Sequence, residues 1–161
     1  MIQNATTDDF TAIVQLNIES EHLLAPMNRE LLGKLHTQAA YHRVACIDGE
    51  VAAFVIAIRE GAEYESLNYE WFSARYPSFL YIDRIAVSKA HQGNGIGREM
   101  YRDLFQFARS TGVSSVTCEF YIEPMNESSS RFHAQFGFRE VGVQWVAQGT
   151  KKVSLQELLF Q

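Results

Sequence analysis

Three glycines at alternate positions stand between a strand-like segment and a helix-like segment. They are Gly93, Gly95 and Gly97, and they follow the apolar residues Ile85-Ala86-Val87. A glycine turn at the start of a helix exposes backbone N–H groups that have no helical partner, and the helix dipole there favours negative charge. The pattern therefore predicts that this loop binds the phosphates of a diphosphate-bearing ligand.

Two common classes of phosphate-binding loop do not match these residues. The loop of the nucleotide hydrolases requires Lys and then Ser or Thr after its last glycine, whereas Arg98 and Glu99 follow Gly97. The dinucleotide fingerprint requires Gly or Ala where Arg98 stands, and it usually opens its domain. The pattern that does fit is Gln-x-x-Gly-x-Gly, read as Gln92, Gly95 and Gly97.

Two acidic residues interrupt apolar, strand-like segments on either side of the glycine loop. Asp83 precedes the loop, and Glu119 follows the helix-like segment after it. Burying an unpaired carboxylate is costly, so each of these residues is expected to be either ion-paired or catalytic. An ion pair with Arg84 remains open for Asp83, and a surface position on an alternating strand remains open for Glu119.

A second motif accompanies the Gln92–Gly97 loop, and together they resemble the GCN5-related N-acetyltransferase (GNAT) superfamily. Asn126 precedes Arg131-Phe132-His133-Ala134-Gln135-Phe136-Gly137-Phe138, which is similar to the family's helix ending in aromatic-Tyr-x-x-x-Gly-Phe. The resemblance implies that acetyl-CoA is a co-substrate, with its pyrophosphate on the loop amides and its pantetheine arm paired with the strand at Ile85 and Val87. The implied cofactor-binding residues are Ile85, Ala86, Val87, Gln92, Gly93, Asn94, Gly95, Ile96, Gly97, Arg98 and Asn126.

The resemblance also suggests catalytic residues. Acyl transfer requires a neutral amine, and an alkylammonium is mostly protonated at neutral pH, so a base must remove a proton. The family places a base at the positions of Asp83 and Glu119. His133 stands where the family has a tyrosine that protonates the leaving thiolate, a step that an imidazolium can also perform. A helix-surface histidine is the alternative, with Tyr121 and Tyr81 as reserve acids.

The acceptor site is implied at two segments, the aromatic stretch Tyr64–Tyr76 and the stretch Glu21–Arg29. Acidic side chains in and beside these segments would suit a cationic acceptor, although solvated surface charges are the alternative. They are Glu19, Glu21, Glu63, Glu65 and Glu70. The acceptor itself, a small-molecule or a peptide amine, stays open.

The order of the predicted elements indicates one α/β domain over residues 1–161 with a mixed central sheet. Asp48-Gly49 predicts a β-hairpin. The segment Glu60–Ser78 predicts a long loop with room for one helical turn. The GNAT resemblance implies a strand order interrupted by a cofactor-binding split, with helices on both faces. Lys152–Leu159 is predicted to be an exposed edge strand through which a homodimer could pair.

Composition narrows the function further. The net charge of -5 disfavours a protein that grips nucleic acid or an anionic membrane. The sequence contains no signal-peptide pattern and no apolar segment approaching about 18 residues, so a cytoplasmic location is expected. Cys46 and Cys118 are predicted to be buried thiols, and the scattered histidines predict no metal site. Two hypotheses remain: an N-acetyltransferase that works by direct transfer in a ternary complex, or a CoA-binding sensor or scaffold that has lost turnover.

Overall fold

A computed structural model describes residues 1–160 of the chain. The strands are β1 (Ile2–Asn4), β2 (Tyr41–Ile47), β3 (Glu50–Arg59), β4 (Leu80–Val87), β5 (Ser115–Glu123), β6 (Arg139–Val146) and β7 (Lys151–Leu159). The helices are α1 (Phe10–Glu19), α2 (Arg29–Gln38), α3 (Leu67–Ser73), α4 (Ile96–Ser110) and α5 (Glu127–Ala134). All seven strands join one sheet in the order β1-β2-β3-β4-β5-β7-β6.

The sheet splits between β4 and β5, its only parallel neighbours among residues 1–160. These strands pair at two positions, Leu80 with Val116 and Tyr81 with Thr117, whereas β4 pairs with β3 along most of its length. Beyond Tyr81 the two strands diverge, and the β5 side of β4 is left without a strand partner. The split, mixed sheet implied by the family resemblance is therefore confirmed.

Two hydrophobic cores cover the two faces of the sheet. One contains side chains of α1, α2 and α3 packed on residues such as Phe54 and Tyr81. The other contains the apolar face of α4, including Met100 and Leu104, with the aromatic residues of and after α5. The prediction of helices on both faces is confirmed. The hairpin turn is confirmed as well, since both Asp48 (φ 52°) and Gly49 (φ 82°) adopt the left-handed conformations that a tight two-residue turn requires.

The segment between β3 and β4 contains a helix of two turns, α3, where a loop was predicted. The hydroxyl of Ser66 caps it by accepting from the N–H of Tyr69. Tyr69 and Phe72 are buried in the core beneath it, so tertiary packing stabilises a helix too short to be stable alone. The prediction of a long loop with one helical turn underestimated this helix, because the aromatic residues were not recognised as one buried helix face.

The last strand, β7, lies inside the sheet and not at its edge. It pairs with β5 on one side and β6 on the other, so the prediction of Lys152–Leu159 as an exposed edge strand is wrong. Strand β6 forms that edge and exposes Val143 and Trp145. The chain forms the edge strand β6 first, and β7 then inserts between β6 and β5. Strand propensity cannot reveal this order. The argument for a homodimer through Lys152–Leu159 fails with it.

Two further observations concern the part of the chain that the structure describes. None of its helices is both long enough and apolar enough to cross a membrane. No three side chains of the His, Cys, Asp or Glu types converge there in a way that could hold a metal ion. Both cysteines are free thiols, with Cys118 buried and Cys46 half-buried.

Candidate active site

The split in the sheet opens into a cleft of about 700 Å³, called the loop cleft below. Its walls are the second half of β4, the glycine loop, the first turns of α4, the middle of β5 and one side of α5. Among the predicted cofactor-binding residues, all but Asn94 line it. The structure therefore brings the two sequence motifs together around one cavity.

The glycine loop has the conformation that its composition suggested. Gly93 and Gly95 have φ values of 83° and 80°, and Gly95 is the N-cap residue of α4. Left-handed backbone at two alternate positions favours glycine because a side chain there would be strained. The Gln92 side chain donates a hydrogen bond to the carbonyl of Val87 at 3.1 Å and so ties the loop to the end of β4. Gly97 packs against the ring of Phe132.

Asn126 and Arg98 have structural partners within the cleft wall. The Asn126 side chain caps α5, since its Oδ1 accepts from the N–H of Ser129 at 3.1 Å. Arg98, in the first turn of α4, donates to the side-chain carbonyl of Gln135 at the end of α5. The Asn126 contact stabilises the start of α5, and the Arg98 contact joins α4 to the end of α5.

His133 lies in the cleft wall, but it is not a surface histidine. Its Nδ1 is 2.8 Å from the carbonyl oxygen of Ser129, so Nδ1 carries the proton, and its Nε2 accepts from the hydroxyl of Tyr101 at 2.8 Å. Burial lowers the pKa of His133 to about 4. At neutral pH the ring is uncharged and its basic nitrogen is occupied, which argues against His133 as the proton donor to the thiolate.

Tyr101 is the hydroxyl that the sequence did not single out. It is a buried residue of α4, lines the loop cleft beside Cys118, and uses its O–H to bond His133. Burial raises its pKa well above the usual value for tyrosine. Its position in the apolar face of a helix could have identified it from the sequence. That position predicts burial, and a buried tyrosine needs a hydrogen-bond partner for its hydroxyl.

A β-bulge in β4 determines where the first acidic residue points. Ile82 pairs with Ala57, and Arg84 with the preceding residue Ile56, so Asp83 is an extra residue in the strand. The bulge turns Asp83 and Arg84 toward the same face of the sheet, where Arg84 Nε bonds Asp83 at 2.7 Å. The hydroxyl of Tyr64 donates to the other oxygen of Asp83. The expected ion pair between Asp83 and Arg84 is therefore present.

Glu119 on β5 faces the same space from the opposite wall of the split. The hydroxyl of Tyr81 donates to its two carboxylate oxygens at 2.6 and 2.9 Å, and the side-chain amide of Asn68 donates to one of them at 2.9 Å. Burial, reinforced by the negative charge of Asp83, raises the pKa of Glu119 to about 8, although both hydrogen bonds oppose this effect. The carboxyl group is thus poised to exchange a proton near neutral pH.

A second space of about 310 Å³, called the tyrosine cavity below, continues from Glu119 toward α3 and the turn between β6 and β7. Tyr64, Tyr81 and Tyr121 line it together with apolar side chains. The residues common to both cavities are Leu23, Leu24, Asp83, Arg84, Glu119 and Phe120. The two carboxyl groups therefore stand where the cavities meet.

The expected acceptor segments do contribute to the tyrosine cavity, but their acidic residues do not. Residues 23–25 and Tyr64, Ser66, Leu67 and Asn68 line it. None of the five predicted acids lines either cavity, so neither cavity supports a role for them in binding the acceptor. The five are Glu19, Glu21, Glu63, Glu65 and Glu70.

Comparison with known proteins agrees with this architecture. The model of the acetyltransferase (GNAT) family matches residues 2–138, and the chain belongs to that family. The mouse protein "Probable N-acetyltransferase family 8 member 5" is 32% identical over 63 residues, which are 39% of this chain and 27% of that protein. This chain therefore matches only about a quarter of that relative.

Solved structures share the fold at low sequence identity. Ard1 from Thermoplasma volcanium superposes with a TM-score of 0.81 and 15% identity, covering 100% of this chain and 97% of that one. The protein yncA from Salmonella typhimurium, solved with its cofactor acetyl-CoA, superposes with a TM-score of 0.74 and 18% identity, covering 100% and 94%. At this identity the likeness concerns the fold alone.

Proposed function

We propose that this protein transfers the acetyl group of acetyl-CoA to a primary amine by direct transfer in a ternary complex. The observation that carries the proposal is the position of Glu119, whose carboxyl group lies where the loop cleft meets the tyrosine cavity. A cofactor in one cavity and an amine in the other would meet at this carboxyl group.

The residues of the loop cleft fit acetyl-CoA. The left-handed glycines bring backbone N–H groups to the start of α4, where a pyrophosphate is favoured. The unpaired side of β4 has backbone N–H and C=O groups that can form hydrogen bonds with a pantetheine amide. When bound, acetyl-CoA would supply the acetyl group as a thioester, whose C–S bond breaks as the new C–N bond forms. The structural neighbour solved with acetyl-CoA supports this choice of cofactor.

In this proposal Glu119 removes the proton from the acceptor ammonium. A base works best when its pKa lies near the working pH, and the value of about 8 for Glu119 meets that condition. Asp83 is ion-paired with Arg84 and contributes the negative charge that raises this pKa. Because Glu119 must be ionised to act, we expect kcat/KM to rise with pH up to about 8.

The remaining steps also fall to residues of the cleft. Burial raises the pKa of the Cys118 thiol well above its usual value, which disfavours a thiolate nucleophile and supports direct transfer over a covalent intermediate. Since His133 is uncharged, we propose Tyr101 as the proton donor to the leaving thiolate; its hydroxyl would leave His133 Nε2 to make that contact. A cytosolic location remains part of this proposal.

Glu119→Gln tests the proposal. CoA release would be followed with a panel of primary amines, and acetyl-CoA binding by calorimetry. We expect turnover to fall by about 10²- to 10⁴-fold, as is typical for the loss of a general base, with acetyl-CoA affinity preserved. Glu123→Gln, an exposed residue of the same strand, is the matched control and should keep full activity.

Two results would decide against the proposal. Equal turnover in Glu119→Gln would remove Glu119 from the mechanism. Tight acetyl-CoA binding by the wild-type protein without turnover of any amine would favour the CoA-binding sensor or scaffold instead.

A further inference from the structure

Arg84 has a buried guanidinium group, and one of its three nitrogens makes no hydrogen bond to the described residues. Its Nε donates to Asp83 at 2.7 Å, and its Nη1 donates to the side-chain oxygen of Asn17 and to the carbonyl of Ala25, both at 3.1 Å. The third nitrogen, Nη2, has no hydrogen-bond partner among residues 1–160. Arg84 itself is only 6% exposed, so this free nitrogen is a feature of the protein interior.

The free nitrogen is open to the cavities. Within the described chain, the side-chain polar atoms that are sealed from solvent without a partner are His42 Nε2 and Thr117 Oγ1, and Arg84 Nη2 is not among them. Arg84 lines both the loop cleft and the tyrosine cavity beside Glu119. The Nη2 group therefore faces the space that we assign to the reacting amine.

The chemistry of this nitrogen defines what it can recognise. A guanidinium Nη2 carries two N–H donors and no acceptor, so its partner must be an oxygen or another acceptor. The charge of Arg84 is balanced by Asp83, so the partner need not be an anion. An amine at Glu119 that carried an oxygen a few bonds away would satisfy both groups at once.

We propose that the acceptor is an α-amino carbonyl compound, in which Glu119 takes the proton of the amine and Arg84 Nη2 donates to the adjacent carbonyl oxygen. This inference rests on the proposed function and specifies its substrate class. The side chain of the acceptor would enter the tyrosine cavity, where Leu67, Val146 and Val153 form apolar walls. A free amino acid, an amino acid amide and a peptide N-terminus all share this chemistry.

A polyamine fits less well. Its second ammonium would require another carboxylate, and the acidic side chains lining the tyrosine cavity are Asp83 and Glu119. Asp83 is already bonded by Arg84 and Tyr64. The cavity therefore offers a distal ammonium apolar walls instead of a counter-charge.

The test compares leucinamide with 3-methylbutylamine, which is the same amine without the carboxamide. The carboxamide also lowers the pKa of the ammonium, from about 10.4 for an alkylamine to about 8 for an α-amine, so the ratio of kcat/KM for the two amines is compared at one pH between the wild-type protein and a variant of Arg84. Arg84→Lys keeps a positive charge beside Asp83 but lacks the Nη2 fork. In that variant the ratio of kcat/KM for leucinamide to that for 3-methylbutylamine should be about 10- to 100-fold lower than in the wild-type protein, the range of a hydrogen bond to a charged group, while acetyl-CoA affinity is preserved.

Leucine and the peptide Leu-Gly-Gly identify the source of the carbonyl. Preference for the peptide would indicate a chain N-terminus, and preference for leucine would indicate a free amino acid; either result supports the inference. Equal kcat/KM for leucinamide and 3-methylbutylamine would overturn it, and that comparison needs only the wild-type protein. A ratio of kcat/KM for the two amines that is the same in Arg84→Lys as in the wild-type protein would also overturn it. If no amine is acetylated although acetyl-CoA binds, the proposed function fails, and this inference fails with it.

Discussion

The loop cleft and the tyrosine cavity share a wall at Asp83, Arg84 and Glu119, yet they are constructed in different ways. The loop cleft depends on backbone: two left-handed glycines, a helix start and the unpaired side of one strand. The tyrosine cavity depends on side chains from α3, β4, β5, β6, β7 and three connecting segments. Backbone sites leave a short, ordered signature in the sequence, whereas side-chain sites assembled from distant segments do not.

If the loop cleft depends on backbone conformation and charge, one substitution in the loop should have the largest effect on cofactor affinity. Gly95→Asp adds a negative charge beside the expected phosphates. We expect acetyl-CoA affinity to fall about 100-fold, since like charges about 4 Å apart near a protein surface repel by a few kcal/mol and about 1.4 kcal/mol is a factor of ten.

Gly95→Asn is the matched control for that measurement. Asn tolerates the left-handed conformation about as well as Asp but carries no charge, so calorimetry should find a much smaller loss of affinity. Equal losses in the two variants would mean that strain in the loop, and not repulsion of phosphate, explains the effect.

Side chains of the cleft that do not hold the cofactor should alter turnover but not affinity. Tyr101→Phe removes the hydroxyl that we propose as the proton donor, and we expect kcat to fall about 100-fold with unchanged acetyl-CoA affinity, at the lower end of acid–base effects. His133→Gln retains an acceptor for the Tyr101 hydroxyl and should lose less activity. Tyr41→Phe, which removes a hydroxyl bonded to Asp103 away from both cavities, is the control.

A larger loss of activity in His133→Gln than in Tyr101→Phe would support His133 as the proton donor. If Tyr101→Phe turns over at the wild-type rate and His133→Gln is slow, then His133 is the acid despite its low pKa.

The last prediction concerns stability and the buried carboxyl group between the cavities. The pKa of Glu119 is raised in the folded protein to about 8, from a usual value of 4.5, so the folded state binds this proton more tightly than the unfolded state. The wild-type protein should therefore lose stability as pH rises from about 4.5 to 8. Glu119→Gln removes this penalty, so the Tm difference between variant and wild type should grow over that pH range by on the order of 10 °C, since one pKa unit is about 1.4 kcal/mol and 1 kcal/mol shifts Tm by about 2–4 °C in a domain of this size.

Thermal unfolding between pH 5 and pH 9 checks this prediction. A Tm difference that does not change with pH would mean that Glu119 titrates normally, and its assignment as a base tuned by burial would lose its basis.

The sequence allowed much of the fold and the cofactor side of the site to be predicted. Asp48-Gly49 required a tight hairpin turn, and the glycine loop required a strand before it and a helix after it. Both features depend on residues close together in the chain. The position of β7 between β5 and β6 depends on long-range pairing, and strand propensity carries no information about it.

The acceptor side was predicted less well for the same reason. Asp83 and Glu119 were identified because a carboxylate stands out in an apolar strand. The acidic loop residues were chosen because they lie in or beside the segments that the family resemblance assigns to the acceptor site. Tyr101 and the free nitrogen of Arg84 were missed. The role of a tyrosine in a helix or of an arginine in a strand can be inferred only when its hydrogen-bond partners are known.

The bulge at Asp83 reverses which face of the sheet the following side chains of β4 point to. Side chains of a regular strand alternate between faces, so Tyr81, Asp83 and Ile85 would share one side. With one residue added, Ile85 and Val87 instead join the core beneath α4, while Ala86 joins the opposite core with Tyr81. The same extra residue turns the Arg84 guanidinium away from the α4 core and toward Asn17. Deleting a single position here would exchange the facing of every side chain up to the glycine loop, so the length of this strand is as much a part of the site as the identity of its residues.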